Sequence, residues 1–318
     1  MADYKNTIER ILNSVDVEIN GSRPWDLQVH DERFYSRVLS GGTLAFGESY
    51  MDGWWDCNAL DQLSEKLLSG HLDNQVKASN PSFFLLLTRA WLSNPQSKKR
   101  AYIVGEKHYD VGNDLFSLML DKRMNYSCGY WRNAENLDQA QINKLDLICR
   151  KMHLRPGMNV LEIGCGWGGF AKYAAENYGV SVHGVTISKQ QAVFAQDSCK
   201  SLDVRIELKD YRELNGQYDC VVSVGMFEHV GYKNYKKYME VVHRCLKDDG
   251  LFLLHTIGRN QSGRATEPWI NKYIFPNGMT PSAQQISAAS EGLFVIEDWH
   301  NFGQDYDATL MSWNKNFQ

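Results

Sequence analysis

From residue 158 onward the sequence alternates short apolar runs, rich in Val and Ile, with stretches of helical length. "NVLEIG" is followed by a helix from Gly169, and "VSVHGV" by a helix across 188–199. "DVRIELKD" and "YDCVVSVG" come next, then a helix across 234–246 and "GLFLLHTIG". Strands this apolar, spaced by helices, specify a buried parallel sheet and therefore an α/β fold. A last strand is expected at "LFVIEDW" (293–299). In such sheets ligands sit beyond the carboxyl ends of the strands, near the switch in strand order. Residues immediately after strands are thus the ones to weigh for chemistry.

The first of these positions is a glycine turn. "VLEIGCGWGGF" (160–170) sets Gly164, Gly166 and Gly169 in a G-x-G-x-x-G pattern, with Gly168 as a further glycine. A plain strand-to-helix turn needs fewer. A dinucleotide site requires an acidic residue about 20 positions on, at the end of the second strand, to grip a ribose hydroxyl. Thr186 and Ser188 stand there instead. The phosphate loop G-x-x-x-x-G-K-[ST] is absent. S-adenosylmethionine remains, for which the glycines let adenosine and the methionine chain approach the backbone. Glu162, two positions before the first glycine, suits a cationic ligand. After the third strand, "KDY" (209–211) places Asp210 to accept from the adenine amino group, with Tyr211 beside the ring. Together these form the pattern of a class I (Rossmann-like) methyltransferase sheet.

Composition narrows the remaining classes. Hydrophobic residues at 43% and charged residues at 23% fit a soluble globular chain, and a net charge of −4 gives no ground for general nucleic-acid binding. Seven scattered cysteines, an odd number without a C-x-x-C pair, fit neither a disulfide framework nor a zinc site, so reduced thiols and a cytoplasmic setting are expected, with no metal. "MADYKNTIER" lacks the layout of a signal peptide, and "FFLLL" (83–87) is too short to span a bilayer. Membrane contact would be peripheral. Residues 1–95 read as a smaller, mainly helical N-terminal domain with turns at "NGSRP" and "SGG" and an aromatic-rich loop, "FGESYMDGWWD" (46–56). "SNPQSKKR" opens a basic linker assigned to 96–106, whose cations either sit in water or face an anionic leaflet. Residues 107–318 then form the cofactor-binding domain.

Longer motifs carry a resemblance. "YSCGYW" (126–131), "VLEIGCGWGG", "GVTISKQQ", "VSVGMFEHVG", "LLHTIG", "WINKYIFPNG" and "DWHNFGQDYDATL", in that order, resemble the bacterial cyclopropane-fatty-acyl-phospholipid synthases over nearly the whole chain. The resemblance implies an enzyme that moves the methyl of S-adenosylmethionine onto a cis double bond of an unsaturated phospholipid acyl chain, with proton loss closing a three-membered ring. It implies a bound bicarbonate as the base, held by Cys128, Glu228, His255, Ile257 and Tyr306. It also implies Tyr126 and Ser127 at the methionine carboxylate and Thr186 and Gln191 on the ribose side. The residues agree on placement, since Glu228 and His255 both fall near carboxyl ends of strands. His229 reads as orienting its turn, and Trp167 and Cys165 as packing. "PWINKYIFPNG" is either a wall of the acyl channel or a surface loop. The alternatives are a methyl-branched lipid product or a small-molecule amine acceptor. A homodimer docked peripherally on the inner face of the membrane is expected, with the first hundred residues as its contact. Chains of this family continue past "LMSWNKNFQ" with more helix and a final strand, so a C-terminally truncated domain with an uncovered sheet edge is expected.

Overall fold

The computed structural model describes residues 4–70, 72 and 113–318, so the linker assigned to 96–106 and the "FFLLL" run lie outside the described residues. The chain divides into two compact units.

The first unit is mainly helical. Helices α1 (Tyr4–Asn13), α2 (Arg33–Met51) and α3 (Leu60–Ser69) enclose Ile8, Leu12, Val17, Leu27, Phe34, Trp55 and Leu63. A two-residue antiparallel ribbon pairs β1 (Gln28–Val29) with β2 (Trp55–Asp56). The expected turn at "SGG" is a kink instead: α2 runs on through Gly42, whose φ of 61° and ψ of −143° only glycine adopts readily. Half of the aromatic-rich stretch at 46–56 is helix rather than loop, ending in α2 with Phe46 stacked on Trp55 at 4.4 Å between ring centroids. Ala265–Pro276 joins this unit, so residues 107–318 are not one uninterrupted body. Trp269 lies so close to Gly47 that a Cβ there would stand 2.4 Å from the indole. Glu48 accepts from Lys272 Nζ at 2.5 Å and from the Tyr273 hydroxyl at 3.0 Å.

The second unit holds a five-stranded, all-parallel sheet of β3 (Asn159–Ile163), β4 (Ser181–Thr186), β5 (Val204–Leu208), β6 (Tyr218–Val224) and β7 (Leu246–His255). Its order is β5-β4-β3-β6-β7, which puts the topological switch between β3 and β6. Around it lie α4 (Asn113–Met119), α5 (Leu137–Lys151), α6 (Gly169–Tyr178), α7 (Lys189–Ser198), α8 (Tyr235–Cys245), α9 (Ala283–Ser290) and α10 (Asp305–Phe317). Alternate residues of the central strands feed two cores, as the period of two demands. Val160 and Val222 pack with α5, α6 and α7 through Leu145, Ile148, Phe170 and Ala192. Leu161 and Val221 pack with α8 through Tyr238, Met239 and Val242. Each such fully buried aliphatic or aromatic side chain contributes about 1.5–3 kcal/mol of transfer free energy. Helix starts follow the local chemistry: Asn136 caps α5 and Ser188 caps α7, each accepting the backbone N–H three residues on.

The strand expected at 293–299 is a correction. Leu293 and Phe294 pack on the second core, but the stretch forms no ladder, and Val295 stands 86% exposed with Trp299 at 55%. An apolar run becomes a strand only through a hydrogen-bonded neighbour, and this one has none among the described residues. Among those residues, no helix is long and apolar enough to cross a membrane.

Candidate active site

The turn after β3 supplies a backbone cradle. Gly164, Gly166 and Gly168 take φ values of 84°, 52° and 84°, leading into the N-terminus of α6. The glycines have different reasons. A Cβ on Gly166 would meet nothing within 4 Å, so its positive φ faces open space. A Cβ on Gly169 would stand 2.6 Å from the Arg123 carbonyl oxygen and 2.8 Å from Asn125 Oδ1, so that glycine admits the segment leading to Tyr126. Glu162 lies behind the turn, 3% exposed, taking the Ala171 N–H. Burial lifts its carboxyl to about 8.

At the ends of β4 and β5 the expected residues are built in firmly. Thr186 donates to Gln191 Oε1 at 2.8 Å and accepts the Ser188 N–H at 3.2 Å, and both Thr186 and Gln191 are buried. With its carbonyl engaged, Gln191 keeps its amide nitrogen as a donor. Asp210, 1% exposed, accepts the Arg212 N–H at 2.9 Å and the Arg212 guanidinium at 2.8 Å. Its bonds to Arg212 fix the carboxylate at the strand end. Tyr211 sits in the second core, its centroid 5.0 Å from that of Tyr238, with the Arg212 guanidinium over its ring at 4.8 Å. The structure therefore packs the Tyr211 ring into this core.

The segment 126–131 is clamped between two helices. Tyr126 packs on Phe116 and Trp313, both at 5.3 Å between centroids. From α5, Gln141 donates to the Ser127 carbonyl at 2.8 Å and Lys144 to Ser127 Oγ at 2.7 Å. From α10, Thr309 Oγ1 accepts the Gly129 N–H at 3.1 Å and the Trp131 indole N–H at 2.9 Å. Cys128, between them, is 4% exposed, and burial pushes its thiol up to about 11. It is a neutral S–H rather than a nucleophilic thiolate.

Glu228 follows β6 across the switch from the glycine turn. Its Oε1 accepts the Ile257 N–H at 2.7 Å, so that amide orients Glu228. Its Oε2 is shielded from solvent and makes no close hydrogen bond, and burial raises its pKa against the opposing pull of the Ile257 N–H and the Thr256 side chain. His255, the last residue of β7, likewise has a shielded, unpartnered Nδ1. Burial, reinforced by the charge of Lys144, draws its imidazole down to about 3. Tyr306 on α10 is raised by burial first and then by its proximity to the ionisable groups of Cys128 and Glu228. Cys128, Glu228, Ile257 and Tyr306 are thus brought together, with His255 joined to the group through the β6–β7 pairing, where Gly225 N donates to the His255 carbonyl at 2.9 Å. Phe302 lies against the His255 ring at 5.4 Å.

Sequence reasoning missed Gln141, Lys144 and Thr309. The signal for the first pair was present, since they stand among Ala140, Leu145 and Ile148 on the apolar face of α5. Polar groups on a buried face need a partner, and theirs is Ser127. Thr309 carries no such mark; it follows Tyr306 by one helical turn.

The sheet order, the glycine cradle and the acid and imidazole at the strand ends define a class I methyltransferase. Residues 96–318 match the family described as mycolic acid cyclopropane synthetase. The chain is 57% identical over 310 residues to the cyclopropane-fatty-acyl-phospholipid synthase of Escherichia coli (strain K12), covering 96% of this chain and 80% of that protein. The solved structure of the cyclopropane synthase MmaA2 from Mycobacterium tuberculosis superposes with a TM-score of 0.63 at 33% identity, covering 68% of this chain and 82% of that one. A mycolic acid cyclopropane synthase complexed with SAH and CTAB matches with the same TM-score, identity and coverage. The chain belongs to this family: it is a cyclopropane synthase, an S-adenosylmethionine-dependent methyltransferase.

Proposed function

We propose that the chain forms a cyclopropane ring across the cis double bond of unsaturated phospholipid acyl chains, with bicarbonate as the base. The observation that supports this reading is the pair of solvent-shielded polar atoms without a close partner, Glu228 Oε2 and His255 Nδ1, with Cys128 and Glu228 both acting on the Tyr306 phenol. A small oxyanion that both donates and accepts hydrogen bonds fits two such groups, and a buried group left unpaired costs about 1–3 kcal/mol.

S-adenosylmethionine supplies the methyl group and bound bicarbonate the proton-accepting oxygen. The chain supplies position and a dry, preorganised surround. Tyr126, Ser127, Glu162, Gly164, Gly166, Gly168, Thr186, Gln191 and Asp210 hold the donor along the carboxyl ends of β3, β4 and β5. Glu228, its carboxyl raised by burial, hydrogen-bonds and orients the anion without transferring a proton to it, and neutral His255 completes the cradle without adding charge. The rings of Tyr306 and Trp313, 6.2 Å apart and edge to face, offer π surface to positive charge developing on the alkene. The enzyme works as a peripheral protein on the inner face of the membrane and as a homodimer, with the N-terminal unit as the contact surface.

The test uses vesicles of unsaturated phospholipid with S-adenosylmethionine in buffer stripped of carbon dioxide. Acyl chains gain one CH2 and lose the alkene only after bicarbonate is restored. Full turnover without bicarbonate rejects the base, and acyl chains unchanged under all conditions reject the substrate.

A further inference from the structure

Lys144 is buried and makes no direct ion pair among the described residues. It is 1% exposed, and its Nζ donates to two neutral acceptors, Ser127 Oγ at 2.7 Å and Gln141 Oε1 at 2.6 Å. Among the described residues no carboxylate stands within ion-pair distance of it. The groups whose charges reach it are Asp121, on the loop after α4, Cys128 on the clamped segment, Glu162 behind the glycine turn and His255 at the end of β7. None of them balances it closely. Asp121 keeps its charge but is held by the Arg123 and Asn125 N–H groups and the Asn125 amide, outside ion-pair distance of Lys144. Burial lifts Glu162 to about 8 and draws Lys144 itself down to about 8. The ammonium therefore persists at neutral pH while Glu162 is already pushed toward neutrality, and Cys128 and His255 are neutral. Burying an ammonium costs several kcal/mol unless it is compensated, so such a group in a ligand site calls for an anionic ligand.

The hydrogen-bond directions fix what Ser127 can offer such a ligand. An ammonium donates only, so Ser127 Oγ accepts from Lys144 and keeps its own O–H to donate to another acceptor. Gln141 fixes the same residue a second time through its carbonyl at 2.8 Å. We propose that Lys144 is a positioning residue for the methyl donor: it charges the carboxylate subsite and sets Ser127 to donate its hydroxyl proton to the methionine carboxylate. The proposal rests on the cofactor reading above, in which Ser127 meets that carboxylate.

The test compares two ligands by calorimetry. S-adenosylhomocysteine carries the carboxylate; 5′-methylthioadenosine keeps the adenosine and the thioether and lacks it. Lys144→Met is expected to weaken S-adenosylhomocysteine by about tenfold or more while leaving 5′-methylthioadenosine within about twofold. Lys144→Gln, neutral but able to hydrogen-bond Ser127, is the second variant should the first not fold, and it shows the same split in smaller measure. In turnover the loss falls on KM for S-adenosylmethionine rather than on kcat. Equal weakening of both ligands reduces Lys144 to a structural role, and undiminished S-adenosylhomocysteine binding overturns the proposal. Wild-type protein that binds neither ligand overturns the cofactor reading itself, which separates the two failures.

Discussion

Burial moves Glu228 and His255 in opposite directions on the pH scale and toward the same neutral state. The consequence differs for each. Glu228→Gln keeps an acceptor for the Ile257 N–H but replaces the carboxyl that orients the anion with an amide, so turnover falls by about 100-fold or more while S-adenosylhomocysteine affinity changes little. Steady-state kinetics beside calorimetry checks this, and undiminished kcat refutes the role. His255 bears on stability. Its imidazole titrates near 3 when folded against an ordinary value of 6.5. As pH falls below 6.5 the unfolded chain takes up a proton that the folded one refuses, and stability is lost progressively down to about pH 3. Denaturant unfolding measured across that window is expected to show a flatter pH dependence in His255→Gln than in the wild type. Identical slopes contradict the assignment.

At the level of elements, the glycine turn separates two uses of one residue type. Gly166→Ala meets open space, so it is expected to cost only about 1–2 kcal/mol of left-handed strain while raising KM for S-adenosylmethionine about tenfold or more. Gly169→Ala drives a methyl into the Arg123 carbonyl and Asn125, and is expected to destabilise by about 1–3 kcal/mol through overpacking. Thermal unfolding with kinetics on both variants distinguishes them; the reverse pattern contradicts the placement of the ligand. The parallel strands were legible because a strand apolar on both faces leaves a continuous Val and Ile run, as in "CVVSV" of β6. The stretch 293–299 has similar composition and is not a strand, because pairing belongs to two segments and only one of them is visible in a local pattern. Glu228 and His255 could be placed by their distance past a strand. Lys144 and Thr309 could not, since their partners Ser127 and Gly129 are 17 and 180 residues away in the chain.

On the scale of the whole molecule, the grouping of Ala265–Pro276 with the N-terminal residues was the part least legible in sequence. It depends on the missing side chain of Gly47, which admits the Trp269 indole, and on Glu48, which holds Lys272 and Tyr273. Gly47→Ala is expected to loosen this segment, seen as faster limited proteolysis within 265–276. Unchanged cleavage contradicts the tether. The central claim concerns what the assembled site makes, and isotope labelling reads it most directly. Vesicles of unsaturated phospholipid are incubated with S-adenosylmethionine carrying a trideuterated methyl group, and the acyl chains are analysed by mass spectrometry. Ring closure predicts a saturated chain whose added carbon retains two of its three deuterium atoms. Retention of all three, as in a methyl branch, or acyl chains without deuterium, would contradict it.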